Sequence, residues 1–160
     1  MLLTPKALQR YRMVAGEPRE ALQSFSLSQA RSVSLLALAQ NGCGSTFVLA
    51  DDSTVYELDA QLLVVAKAAL GATAIGRQSQ LAADDAGRVY ITSSETSTVS
   101  VFDLRRGMYT GRAPTNNCPI RVTKPVDAVA RRDRLYVLAE EPSGYRVSVF
   151  GIPLPPALGH

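Results

Sequence analysis

The chain contains no tryptophan, one histidine, two cysteines and only three lysines among its 17 basic residues. Each shortage excludes something. The single histidine, His160, is the last residue, so a serine or cysteine nucleophile has no usual partner base. Cys43 and Cys118 stand in neither a C-x-x-C nor another metal-ligand spacing, which argues against a thiolate metal centre and a disulfide framework. Free thiols point to a reducing, intracellular compartment, the cytoplasm or an organelle such as the mitochondrion. No apolar run approaches the ~18 residues of a membrane span. The net charge of +3 is spread over interleaved acids and bases, whereas a chain that neutralises many phosphates usually gathers a basic face.

The carboxylates are equally unpromising as chemistry. Asp51-Asp52 and Asp84-Asp85 are the best pairs, but neither has the alternating spacing of a calcium loop, and tight turns favour aspartate for its own sake. The glycine-rich run at 41–46, NGCGST, lacks the lysine and following helix of a phosphate loop. No catalytic residue, cofactor or metal ligand is expected, and the chain does not read as an enzyme.

What is present is a repeat. Leu36, Ala82 and Ala128 lie 46 residues apart; Phe47, Tyr90 and Tyr136 lie 43 and 46 apart; Tyr56, Phe102 and Phe150 lie 46 and 48 apart. Three separate landmarks agree on one period. Each copy reads as strand, turn, strand, loop, strand, with short Val-, Ile-, Tyr- and Phe-rich segments bounded by Gly, Asp, Asn or Ser. Leu62–Leu70 and Met108–Ala113 fit a fourth, outer strand in copies one and two; copy three has none. The first strand of each copy is built from alanines such as Ala37, Ala82 and Ala128, as strands converging on an axis require. Leu62–Ala66 and Leu135–Ala139 are apolar on both faces, which suits sheets covered on both sides. The fold expected is all-β, a β-propeller-like array of about three four-stranded blades. A β-sandwich explains the short strands but not the even period.

The second copy, DDAGRVYITSSETSTVSVFDLRRG, resembles a propeller repeat of the NHL or YVTN type, with a glycine turn, an apolar second strand, a polar loop, and a third strand ending in Val-x-Val-Phe-Asp. The resemblance extends over about Ser32–Pro153 and implies fold only, since such propellers host scaffolds, ligand binders and some enzymes. The absence of tryptophan and of a Gly-Gly pair sets WD40 and kelch repeats aside.

Three segments follow. Residues 1–21 form an N-terminal extension, expected to be helical because Thr4 suits an N-cap and Pro5 a first helical position; its basic, acid-free start also has the look of an organellar targeting signal. Residues 22–153 form the blade array, and residues 154–160 a tail. Within the array Leu22–Ser28 alternates well enough to be a spare outer strand. Cys43 and Cys118 fall in loop classes opening on opposite faces, so no disulfide joins them.

Closed propellers have roughly four to eight blades, and three leave apolar faces and edges bare. The expected role is therefore a non-catalytic structural or interaction subunit. Its partial propeller is completed by a second copy, in a six-bladed ring with Leu22–Ser28 exchanged, or by other subunits of a complex. The candidate partner-binding residues are Arg105, Arg106, Arg131, Arg132 and Arg134, turn arginines whose forks suit acidic groups. Two alternatives remain open: a ligand-binding or hydrolytic propeller with a central site formed on dimerisation from residues such as Asp84 or Asp127, and a nucleic-acid-associated subunit using the arginine-rich turns.

Overall fold

The computed structural model describes residues 1–26, 33–70, 79–105, 108–112 and 122–152. Among them there is no helix. Fourteen strands form four small antiparallel sheets, packed in chain order. Sheet I holds β1 (Leu2–Leu3), β2 (Ala7–Val14) and β3 (Glu17–Ser26). Sheet II holds β4 (Leu35–Gln40), β5 (Thr46–Ala50), β6 (Thr54–Leu58) and β7 (Val64–Ala69). Sheet III holds β8 (Gln80–Ala83), β9 (Arg88–Ser93), β10 (Thr98–Asp103) and β11 (Met108–Arg112). Sheet IV holds β12 (Pro125–Arg131), β13 (Arg134–Glu141) and β14 (Gly144–Gly151).

The three repeats become sheets II, III and IV, with the fourth strands of copies one and two in place and sheet IV three-stranded. The N-terminal helix does not form. Thr4-Pro5-Lys6-Ala7 is a reverse turn joining β1 to β2: Thr4 N donates to the Ala7 carbonyl at 2.8 Å, and Thr4 Oγ1 accepts from Ala7 N at 3.0 Å. Threonine followed by proline begins a helix and a turn equally well, because proline's fixed φ suits the second position of either. The continuation decides. Ala15 and Gly16, at φ 52° and 85°, make a two-residue connection with both centres left-handed, the geometry that matches strand twist in a hairpin.

Leu22–Ser26 accordingly belongs to β3 and pairs with β2 of its own chain, Leu8 opposite Phe25; Leu27 and Ser28 lie outside the described residues. Phe25 is buried, 5.7 Å from the Tyr56 ring of sheet II, and Arg10 reaches the Ala60 carbonyl at 2.6 Å. This strand is not a spare one awaiting a partner chain. It anchors a fourth sheet that the 46-residue period did not reveal.

Three layers of core lie between successive sheets. Leu8 and Phe25 pack on Val48, Ala50 and Leu58 between sheets I and II. Phe47, Leu49 and Val55 meet Val89, Ile91 and Phe102 between II and III. Tyr90, Val99 and Val101 meet Leu135, Val137 and Phe150 between III and IV. The inner strands β5 and β9 are buried on both faces, which is why they carry apolar residues without alternation. Leu63, Val64 and Val65 at the outer strand β7 are exposed, so among the described residues the cover expected on both sides of Leu62–Ala66 is not found. The alanines of the first strands let β4, β8 and β12 lie close together: Ala39, Ala82 and Ala128 line one groove between them, of about 210 Å³.

Three of the hairpin turns, β4–β5, β6–β7 and β8–β9, share one construction. Asn41, Asp59 and Asp84 each accept, through Oδ1, the backbone N–H four residues on: Ser45 at 2.9 Å, Leu63 at 2.9 Å and Arg88 at 3.0 Å. In each, the residue before that donor is left-handed: Gly44, Leu62 and Gly87. A leucine at this glycine position is strained, and Leu62 tolerates it because its side chain is buried against sheets I and II.

Candidate functional site

The turn arginines are brought together only in part. Arg131 and Arg132 line a cleft of about 180 Å³ with Gly42, Asp84 and Asp85. Arg134 stands at the same turn, 3.9 Å from Asp133. Arg105 lies over Gly87 in sheet III, where its side chain would meet a Cβ added to that glycine. Arg106 lies outside the described residues. The cleft is of mixed charge, because the Asp85 carboxylate, held by Gly42 N at 2.7 Å, shares it with two guanidinium groups.

The two aspartates considered as central ligands have different fates. Asp84 is buried and its carboxylate is fully used inside sheet III. Oδ1 accepts from Ala86 N and Arg88 N, and Oδ2 accepts from Arg88 Nε at 2.6 Å and from the Tyr90 hydroxyl at 2.9 Å. Burial first, and the Asp84 charge second, push the Tyr90 phenol above its ordinary value. Asp84 is thus a structural hub, a role its place in a turn sequence concealed. Asp127 lies on the axial groove, and its Oδ1 accepts from its neighbour Ala128 N at 2.8 Å. Gln40 is the other polar side chain there. Among the described residues no three His, Cys, Asp or Glu side chains gather as metal ligands would. Cys43 is free and exposed; Cys118 lies outside the described residues, so the pairing of the two is not visible.

The most distinctive surface is one that composition hid. Strand alternation gives sheet IV two apolar faces. Leu135, Val137, Ala139 and Phe150 point towards sheet III and are buried. Val129, Tyr136 and Val149 form a cross-strand row on the opposite face, with Val147 and Tyr145 beside it. Their exposures are 56%, 38%, 47%, 56% and 72%.

The repeat explains what this face is. Phe47 and Tyr90, which match Tyr136, each point towards the following sheet and are fully buried there. Val55 and Val101, which match Val149, do the same. Tyr56, Phe102 and Phe150 point to the preceding sheet. The outer face of sheet IV is therefore an inter-sheet face with no sheet on it among the described residues. Sheet I ends the array differently. The neighbours of the inward pair Leu8–Phe25 that point outward are Gln9, Tyr11, Ser24 and Ser26, and the sheet also exposes Met13, Val14 and Leu22, so its surface is mixed.

No protein-family model matches the chain, and no curated protein matches it. Among solved structures it is similar to hydrazine synthase of Kuenenia stuttgartiensis, at 17% identity and a TM-score of 0.52, over 73% of this chain and 32% of that one. It is also similar to streptogramin B lyase and to a catalytically inactive virginiamycin B lyase from Staphylococcus aureus with quinupristin, each at 13% identity and a TM-score of 0.49, over 84% of this chain and 46% of the other. The likeness to hydrazine synthase assigns the class: an all-β stack of propeller-type sheets. The chain spans about a third of that synthase chain, and its described residues form no closed ring.

Proposed function

We propose that this chain is a non-catalytic interaction module, a stack of propeller-type sheets whose open end is covered by another protein chain in a larger assembly. The observation that carries this reading is the equivalence of Tyr136 with Phe47 and Tyr90. Positions that are fully buried between sheets II and III, and between III and IV, recur on the outside of sheet IV with large apolar side chains in water. Contiguous apolar patches of this kind mark interaction surfaces.

The buried Asp84 carboxylate is taken up by four donors within sheet III, and Asp127 stands exposed beside the alanine-lined groove. The Arg131–Arg132 turn at the rim is the place where an acidic partner adds specificity.

The reading is tested by sizing the protein in a native extract of its source. A species heavier than the 17.1 kDa chain is expected, and Val147→Asp should release it. A native species of one chain would overturn the proposal.

A further inference from the structure

We infer that the open face of sheet IV pairs with the same face of a second copy of this chain, the two β13 strands running antiparallel across a two-fold axis. This rests on the proposed function and names its partner.

The argument is one of charge and register. On the outward side of sheet IV, Arg131 and Arg134 sit at one end of the strands and Glu140 at the other, with Val129, Tyr136, Leu138, Val147 and Val149 between and the exposed Asp127 beside Leu138 on the edge strand β12. Arg134 and Glu140 lie equally far from Val137 along β13. A two-fold axis across the strands at Val137 sets Arg134 of each copy over Glu140 of the other, and Tyr136 over Leu138. A two-fold axis along the strands sets like charges over each other, which is repulsive. Among the described residues the ion pair of Arg134 is a 3.9 Å approach to Asp133, both more than half exposed. Among the described residues no ion pair engages Glu140.

The other arrangement available to two copies, sheet IV of one on sheet I of the next, sets an apolar face against a mixed one that carries Gln9, Tyr11, Met13, Leu22, Ser24 and Ser26. It lacks the complementarity that the face-to-face pairing has. A self-complementary face is also what a closed two-fold contact requires. Three strands about 4.8 Å apart present on the order of a few hundred Å² per copy, short of the ~800 Å² per partner of a standard interface. The pairing is therefore reversible, and assembly rises with concentration.

Sedimentation of the purified full chain from micromolar to near-millimolar concentration tests it. The expected result is a shift from one chain to two. Arg134→Glu and Glu140→Lys should each weaken association by about tenfold or more, and the double reversal should restore it, as only an Arg134–Glu140 contact between copies predicts. Val147→Asp, which changes an exposed side chain, should abolish pairing while leaving the melting temperature unchanged. A single chain at every concentration, pairing that survives Val147→Asp, or a double reversal that fails to recover overturns the inference. A chain that stays single when purified but runs heavier in native extract overturns self-pairing and leaves the proposed function standing. One that is single in both overturns the two together.

Discussion

The Tyr90 hydroxyl donates at 2.9 Å to Asp84 Oδ2, the same oxygen that Arg88 Nε reaches at 2.6 Å. The contact ties the first hairpin turn of sheet III to a residue buried against sheet IV. Removing the acceptor takes a partner from the buried Tyr90 hydroxyl, from the Arg88 guanidinium and from two turn N–H groups. Asp84→Ala should therefore cost about 3–5 kcal/mol, whereas Tyr90→Phe, which leaves Asp84 three donors, should cost about 1 kcal/mol. Urea denaturation midpoints check the ranking.

The same pair makes stability fall in alkali. The folded protein holds the Tyr90 proton above the ordinary tyrosine value of 10.0, while the unfolded chain releases it there. The contribution is complete below pH 10 and is lost as pH rises through the raised folded value, because the unfolded state alone gains by ionising. Stability of the wild type should drop above pH 10 more steeply than that of Tyr90→Phe in denaturant titrations at pH 9, 10 and 11.

Gly87 and Gly44 occupy the same left-handed turn position at φ 80° and 89°. An alanine at either costs about 1 kcal/mol or more in backbone strain. At Gly87 the new Cβ also falls 2.9 Å from Arg105 Nε, whereas at Gly44 nothing lies within 4 Å. Gly87→Ala should be the more destabilising, and Arg105→Ala should narrow the difference. A double-mutant cycle in thermal unfolding measures it.

Sheet IV gives a contrast between neighbours on opposite faces of one strand. Phe150 is 2% exposed and Val147 is 56% exposed. Phe150→Ala should cost about 3–5 kcal/mol, while Val147→Asp should change folding stability by no more than about 0.5 kcal/mol. Equal losses in chemical denaturation would mean that both faces are covered within the single chain.

Much of the fold was legible because the repeat is carried by side chains that pack. The landmarks Phe47 and Tyr90 are the residues that reach the next sheet, and Tyr136 repeats their position on the open face of sheet IV, so their period is the period of the stack. Sheet I escaped because it does not repeat that pattern, and because Thr4-Pro5 and a following run of Ala, Leu, Gln and Arg have the local preferences of a helix. Tertiary packing of Leu8 and Phe25 onto sheet II overrides those preferences. The open face was half legible. Leu135–Ala139 reads as apolar on both sides, but sequence cannot say that only one side finds a neighbour. Asp84 was legible as a turn residue, not as a hub, since its four donors come from a fold that brings Tyr90 and Arg88 back over the turn. The arginines were legible as a charged rim, and the structure sets Arg131 and Arg132 together beside Asp85.

The most direct test of the covered-face account is hydroxyl-radical footprinting of the tyrosines, with the fully buried Tyr90 as the internal reference. In the dilute purified chain Tyr136 and Tyr145 should label strongly and Tyr90 weakly. In the native assembly Tyr136 and Tyr145 should fall to the level of Tyr90. Equal labelling of Tyr136 and Tyr145 in both states would contradict the account.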